Sequence, residues 1–362
     1  MMEIQKKLEK ADELRQKSRY REALALIRRV LRTCGKENQD EFFQCHLLAG
    51  HTYRMLGDFP KAISHYETAV EAAKASKDRT RTADALTSLS LSYRAKGDWA
   101  RALKMLSQAE KIYAKLGDSE AIAFLLWSRA GTYRIKGEIP EAIKTFREAY
   151  KKFVSLKDEH AAGYCLNGLG GTSRVRGAYR DSLAYYSKAN ELFGRLRDPF
   201  GLAYSYCGIG NALRMTDDYE GALRSFRKAL VIYRRIGDIV SSSYTLWSMS
   251  KTCMMTGERK KLAQSEKYLE EARKLFNKTD DPRGKIYCLL SEAELHFMRG
   301  NKKGALKAAQ KALESAEGHA FAVEGCHSRT ILALAGGEAK MPGCYKSLGL
   351  KLDFRQIPAN IP

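Results

Sequence analysis

The sequence predicts an all-α protein, a solenoid of eight helix-turn-helix repeats. Three observations support this prediction: a turn residue recurs about every forty positions, small residues lie at fixed distances from it, and an aspartate recurs between copies. The turn residues are Ser18, Gly57, Gly97, Gly137, Gly177, Asp217, Gly257 and Gly300. Helix pairs that cannot bury a face alone stack on their neighbours, so we expect one continuous core along the array.

The first helix of each copy precedes the turn residue. Seven positions before every turn lies a small residue, which lets two helices approach closely. These residues are Ala11, Gly50, Ser90, Ala130, Gly170, Gly210, Ser250 and Ala293. Aspartates are expected to cap the amino ends of the first helices by accepting hydrogen bonds from free backbone amides. They are Asp78, Asp118, Asp158, Asp198, Asp238 and Asp281.

The second helix of each copy follows the turn. In most copies an alanine or serine lies five positions after the turn, an aromatic residue or leucine nine positions after it, and an alanine twelve positions after it. In copy four these residues are Ala142, Phe146 and Ala149. This spacing is typical of a helix with one buried stripe.

Together, these positions resemble the tetratricopeptide repeat in its forty-residue form, over about residues 3–317. The repeats are similar to those of Leu-Gly-Asn spindle-orientation adaptors, kinesin light chains and bacterial peptide-sensing regulators, most closely at GIGNALRMTDDYEGAL (208–223). The resemblance implies a right-handed superhelix whose first helices line a concave groove. Two departures put the geometry of copies six and seven in question: Asp217 replaces the turn glycine, and copy seven has Cys253 in place of the usual tyrosine and carries an insertion.

The predicted organisation has three parts: the eight repeats over residues 1–317, a capping helix over 318–335, and an irregular or extended tail over 336–362. Within the tail, LGLKLDF (348–354) alternates weakly between apolar and other residues. Two interpretations of this segment stay open. It is either an extended strand lying along the array or in its groove, or a frayed end.

Composition favours an acidic partner and a cytoplasmic location. The formal net charge is +21, and no apolar run approaches the length of a membrane span. The eight cysteines form no C-x-x-C pair, so reduced thiols are expected, with Cys45, Cys165 and Cys288 as core residues at one repeat position. His319, Cys326, His327 and Cys344 match no common zinc spacing. No metal or cofactor is therefore predicted.

An arginine stands three residues before the turn in six successive copies. The row comprises Arg15, Arg54, Arg94, Arg134, Arg174 and Arg214. Burying an arginine without a partner is costly, so this position is not predicted to be core, and the resemblance places it in the groove. The alternative is structural: each arginine complements a helix carboxyl end and pairs with an acid of the next repeat, such as Asp84.

A second row joins the arginines at other groove positions implied by the resemblance. The complete predicted partner-binding set is Arg94, Arg134, Arg174, Arg214, Tyr164, Tyr204, Tyr244, Asn167, Asn211, Trp127 and Lys251. Guanidinium groups, amides and aromatic faces suit carboxylates and the backbone of an extended peptide. The alternative for the tyrosines is packing against the preceding second helix.

The predicted function is a non-enzymatic scaffold that binds an acidic or extended segment of a partner protein in a basic, aromatic groove. The main alternative is an array that binds RNA or another phosphate-bearing ligand through its distributed positive charge. An enzyme or small-molecule sensor is a third reading. The sequence contains no phosphate-binding G-x-x-x-x-G-K-[ST] loop, no H-E-x-x-H and no G-x-S-x-G pattern.

Overall fold

The computed structural model describes residues 2–35, 38–279, 281–338 and 343–362. Over these ranges the chain is helical, without strands. The first four copies contain α1 (Met2–Gln16), α2 (Tyr20–Leu31), α3 (Gln39–Met55), α4 (Phe59–Ala75), α5 (Arg79–Ala95), α6 (Trp99–Leu116), α7 (Ser119–Lys136) and α8 (Ile139–Ser155).

The last four copies contain α9 (Glu159–Arg176), α10 (Tyr179–Leu196), α11 (Pro199–Arg214), α12 (Tyr219–Ile236), α13 (Ile239–Met255), α14 (Arg259–Thr279), α15 (Pro282–Met298) and α16 (Lys302–Gly318). Two helices follow them, α17 (Ala322–Gly336) and the short α18 (Cys344–Ser347). Consecutive helices pack in pairs from one end of the array to the other. The predicted all-α solenoid of eight repeats with a capping helix is confirmed.

The predicted aspartate caps are present. In each of the six helices the aspartate carboxylate accepts a hydrogen bond from the backbone amide three residues later, at distances from 2.9 to 3.1 Å. Pro199 and Pro282 occupy the first helical position, where the missing N–H leaves no bond unmade.

Copy six keeps the turn geometry of its neighbours although it lacks the glycine. Gly137 and Gly177 have φ of 95° and 93°, and Asp217 adopts the same left-handed region with φ of 64°. A left-handed conformation costs a residue with a Cβ about 1–2 kcal/mol. The Asp217 carboxylate accepts a hydrogen bond from the Tyr219 hydroxyl at 2.7 Å. The departure seen in the sequence therefore does not alter the helix pair.

The small residue seven positions before the turn makes room for the aromatic residue nine positions after it. A Cβ added at Gly170 would lie 2.8 Å from Tyr186, and one added at Gly210 would lie 2.7 Å from Phe226. Real Cβ atoms do not come this close to a ring, so these glycines set the distance between the two helices of each copy.

First helices form the inner side of the superhelix. First helices of neighbouring copies contact each other, α5 with α7, α7 with α9, α9 with α11, α11 with α13 and α13 with α15. In the described part of the chain, the second helices of neighbouring copies make no comparable contact. The array therefore curves with its first helices inside.

The curvature is tight enough to bring distant copies together. A Cβ at Gly57 would lie 2.8 Å from the Thr279 side chain, and one at Gly97 would lie 2.2 Å from the Phe321 ring. Turns of copies two and three thus contact the ends of helices that follow more than 180 residues later in the chain. The inner surface is consequently enclosed on several sides.

We call residues 344–362 the return segment, because it runs back over the array. Leu350, Leu352 and Phe354 are buried, and the residues between them are exposed. Lys351 N donates a hydrogen bond to the carbonyl of Arg176 at 2.8 Å. This alternation favours the extended interpretation of the sequence over the frayed end. Residues 339–342 of the predicted tail lie outside the described residues.

One pair of cysteines departs from the sequence expectation. Cys326 and Cys344 form a disulfide, with Cα atoms 5.8 Å apart, that joins α17 to the return segment. The expectation of reduced thiols is therefore wrong for this pair, and its sulfurs are not available to a zinc ion. Cys45, Cys165 and Cys288 are buried as predicted. None of the helices over the described ranges is long and apolar enough to cross a membrane.

Candidate functional site

The arginine row forms a ladder in which a side chain reaches onto the first helix of the next copy. Arg94 Nη1 donates to the Ser128 carbonyl at 3.2 Å, and its guanidinium carbon lies 5.5 Å from the centre of the Trp127 ring. A Cβ at Gly131 would lie 2.2 Å from Arg94 Nη1. The glycine therefore provides the space in which the guanidinium sits.

Arg134 makes the same kind of contact with the next copy. A Cβ at Gly171 would lie 2.6 Å from Arg134 Nη1, so Arg134 of copy four lies against α9 of copy five. Trp127 is also held in place, because its Nε1 donates to the Tyr164 carbonyl at 3.4 Å. The sequence-predicted residues of copies three to five thus come together on the inner side of adjacent first helices.

The structural alternative, pairing with acids, does not apply in the middle of the row. Asp84 accepts a hydrogen bond from the Tyr113 hydroxyl at 2.6 Å rather than from an arginine. Arg15 at the end of the row is paired, 2.7 Å from Asp12. Within the described ranges, Arg134 and Arg174 form neither a hydrogen bond nor an ion pair, and Nε and Nη1 of Arg174 are buried without a partner.

The ladder is therefore electrostatically uncompensated. Burial, followed by repulsion from Arg134 and Arg54, lowers the pKa of Arg94 to about 9. Burial and then Arg174 lower the pKa of Arg214 to about 9 as well. Both groups remain protonated at neutral pH, so the inner surface carries closely spaced cations. Such an arrangement favours a ligand that brings carboxylates, phosphates or carbonyl oxygens.

Asn167 is the most unusual polar residue of this surface. Its side chain is only 2% exposed, yet neither Oδ1 nor Nδ2 has a hydrogen-bond partner. A buried polar group left unpaired costs roughly 1–3 kcal/mol. Asn167, Gly171 and Arg174 follow one another at four and three residues, so they share a face of α9. The unpaired amide therefore lies on the same face of α9 as Arg174 and as Gly171, against which the Arg134 guanidinium packs.

The predicted tyrosines divide into two groups. The Tyr164 hydroxyl donates to the Asp198 carboxylate at 2.6 Å, and Tyr244 lies beside Asp281, whose charge adds to burial in raising the tyrosine pKa. These two rings pack against Phe193 and Phe276 of the second helices that follow them in the same copies, so these contacts differ from the packing against the preceding second helix that the alternative interpretation described.

Tyr204 differs from the other two. It is half-buried, and its hydroxyl is close enough to Arg94 of copy three to interact with it electrostatically. Because the two residues come from copies three and six, this interaction spans the enclosed inner surface. Tyr204 is thus the predicted tyrosine that is coupled electrostatically to Arg94.

At the other end of the row the predicted residues are covered by the return segment. Arg214 is fully buried; its Nη1 donates to Asn360 Oδ1, and its Nη2 donates to the Ile361 carbonyl at 3.0 Å. Asn360 Nδ2 in turn donates to the Arg214 carbonyl at 2.9 Å. Asn211 supports this arrangement, since its Oδ1 accepts from Arg214 Nη2 at 3.3 Å.

Lys251 is also inaccessible. It is fully buried and paired with the equally buried Glu294, and Glu294 Oε1 accepts a hydrogen bond from the Ala359 amide at 2.8 Å. Burial lowers the pKa of Lys251, although Glu294 acts in the opposite direction. Sequence reasoning missed Glu294. Its position could have identified it, because Glu294 lies six residues before its turn, as Asn211 and Lys251 do.

The family comparison agrees with this architecture. One tetratricopeptide-repeat model matches two overlapping ranges, residues 42–115 and 81–153, and a second model of the same repeat matches residues 202–236. The copies within these matched ranges are tetratricopeptide repeats. A comparison with curated protein sequences gives no significant match.

Solved tetratricopeptide-repeat proteins share the fold at low sequence identity. A Rap protein complexed with Competence and Sporulation Factor is 14% identical, with 93% of this chain and 98% of that chain covered and a TM-score of 0.61. The Rap conjugation gene regulator of plasmid pLS20, in complex with a Phr peptide, is 15% identical over 87% and 95% of the two chains, with a TM-score of 0.64. Aspartyl phosphate phosphatase F from Bacillus subtilis is 15% identical over 87% and 94%, with a TM-score of 0.60.

Proposed function

We propose that this protein is a non-enzymatic scaffold whose inner surface binds an acidic or extended segment of a partner protein. The proposed contact residues in the open part of the surface are Arg134, Asn167 and Arg174, with Arg94, Trp127 and Tyr204 beside them. The observation that carries the proposal is Asn167, a buried amide with a free donor and a free acceptor. An extended peptide offers both complementary groups in its backbone.

The neighbouring arginines place a second requirement on the ligand, which is to supply hydrogen-bond acceptors. Arg134 and Arg174 are unpaired among the described residues, and carboxylates or main-chain carbonyls of a partner would satisfy their donors. One of the structurally similar proteins, the Rap conjugation gene regulator, was solved with a bound peptide. That similarity supports the choice of a peptide as the ligand.

The test compares capture of a partner by matched variants. Arg134→Ala/Arg174→Ala removes two inner cations, and Arg147→Ala/Arg180→Ala removes two exposed arginines from second helices. Each immobilised protein is incubated with lysate of the native organism, with and without nuclease. We expect a partner retained by the wild type and the control but released from the first variant, with affinity reduced at least tenfold on purification.

Two results would contradict the proposal. If both double variants lose the partner equally, net charge rather than the inner surface is responsible. If retention disappears with nuclease and falls steeply with salt, the ligand is a nucleic acid, because counterion release dominates such binding. Melting temperatures of the two variants should differ little from the wild type, since neither inner arginine holds a partner in its own chain.

A further inference from the structure

The return segment meets the inner surface as a bound peptide does. Over residues 357–362 the chain forms no helix, and its polar groups are bound by side chains of copies six and eight. Ala359 and Ile361 are buried, with 2% and 0% of their surfaces exposed. Residues 355 and 356, directly before, are exposed. The segment therefore enters the surface from solvent and is enclosed there.

The contacts fix three consecutive residues of the segment. Glu294 accepts the backbone N–H of Ala359, Arg214 binds the side-chain oxygen of Asn360, and Arg214 also binds the backbone carbonyl of Ile361. The Asn360 amide donates back to the Arg214 carbonyl, so that both ends of this amide are bound. A two-sided contact of this kind selects asparagine over residues of similar size, because aspartate lacks the donor and leucine lacks both groups.

The site itself is built of buried charged groups. Arg214, Lys251 and Glu294 are each fully buried, and the Glu294 carboxylate both pairs with Lys251 and accepts a hydrogen bond from the Ala359 amide. The Arg214 guanidinium also lies 6.0 Å from the centre of the Trp247 ring. Lys251 and Glu294 hold each other in place independently of the segment, which lowers the entropic cost of binding a peptide beside them.

The geometry points to a peptide subsite at Arg214, Lys251 and Glu294 that recognises an extended segment with asparagine followed by an aliphatic residue, and residues 357–362 occupy it as an internal ligand. The inference extends the proposed function and rests on it, because the proposed function supplies the partner peptide that competes with residues 357–362. A partner that reaches from Asn167 into this subsite displaces the chain's own residues.

Displacement requires only a local movement. The earlier part of the return segment is held independently, by the Cys326–Cys344 disulfide, by the Tyr345 hydroxyl 2.8 Å from His327 Nδ1, and by burial of Leu350, Leu352 and Phe354. Residues 357–362 can leave by rotation about the exposed 355–356 linkage. A tethered ligand competes at an effective concentration of roughly millimolar, so an internal segment with an intrinsic Kd of ~100 μM weakens the binding of an outside peptide about tenfold.

The test uses the full chain and a fluorescent, acetylated and amidated peptide with the sequence of residues 355–362. Asn360→Lys places a cation against Arg214 and should release the internal segment, and Gln356→Lys adds the same charge at an exposed position as the control. We expect the probe to bind Asn360→Lys about tenfold more tightly than it binds the wild type or Gln356→Lys. A probe carrying the Asn-to-Lys change should not bind.

Hydrogen exchange monitors release directly. In Asn360→Lys the amides of residues 359 and 361 should lose protection while residues 350–354 keep it. Equal probe binding by all three proteins, or no binding by a variant whose segment has been released, would overturn the inference. So would continued protection in both Asn360→Lys and Ala359→Pro, because these contacts would then not hold the segment. No partner protein enters this experiment, so its outcome is independent of the capture test above.

Discussion

The two halves of the inner surface treat the arginine three residues before the turn in opposite ways. In copies four and five, Arg134, Asn167 and Arg174 have no partner within the described part of the chain. In copies six to eight, Arg214, Lys251 and Glu294 are fully buried and bound to each other or to residues 359–361. The difference shows that a repeat position does not fix a role. What covers the position decides whether its polar groups stabilise the fold or remain available.

The largest effect should come from breaking the buried ion pair of the covered half. Lys251→Met leaves Glu294 as an unpaired buried charge, and we expect it to lower the free energy of unfolding by about 3–5 kcal/mol. Lys251→Met/Glu294→Gln removes the charge but keeps an acceptor for the Ala359 amide, so most of the stability should return. Chemical denaturation measures both values.

The control for this experiment is the exposed pair of Lys261 and Glu220, 2.6 Å apart. Lys261→Met should change stability far less than Lys251→Met, because solvent screens an exposed ion pair. If the double variant were no more stable than Lys251→Met alone, the loss would arise from packing rather than from the isolated carboxylate.

The covered half should also be sensitive to acid. Burial lowers the pKa of His327 to about 4 from the ordinary value of 6.5. Between these values the unfolded chain binds a proton that the folded chain does not, so stability falls as the pH drops through this window, by up to about 3 kcal/mol for this group.

His327→Gln should therefore flatten the dependence of stability on pH between 6.5 and 4. Asp238 changes the stability in the opposite direction as the pH falls, because burial raises the pKa of its carboxyl to about 6 and folding favours its protonated form. Denaturation curves at several pH values would measure the slopes. A slope that is the same in His327→Gln and in the wild type would refute the assignment.

The smallest expected effect tests the comparison most directly, because the free energy of unfolding should change in opposite directions at two asparagines. Asn167→Leu removes an amide without partners, and we expect the free energy of unfolding to rise by about 1 kcal/mol while partner binding weakens. Asn211→Leu removes a donor to the Cys207 carbonyl and an acceptor for Arg214, so stability should fall by about the same amount. Thermal unfolding distinguishes them, and a loss at both positions would mean that Asn167 is structural.

The sequence was sufficient for the repeat and its local chemistry. Asp158 caps α9 and Gly170 contacts Tyr186 as their spacing indicated, because capping and helix-pair packing depend on residues close in the chain. The groove location of Arg134 and Asn167 was implied by the family resemblance and stays a prediction. The roles of Tyr164 and Lys251 did not follow from the sequence, because Asp198 and Glu294, which bind them, belong to later copies.

The primary sequence by itself determined the helix pairs, their caps and the direction in which they stack, since these are governed by contacts within a copy and with its neighbour. Tertiary structure alone decided which arginines remain unpaired, which cysteines join, and where residues 357–362 lie. Asn360 reaches Arg214 across 146 residues of chain, and such a contact exists only because the stacked repeats curve until distant parts meet. No local pattern encodes that meeting, which follows from the summed curvature of all the copies.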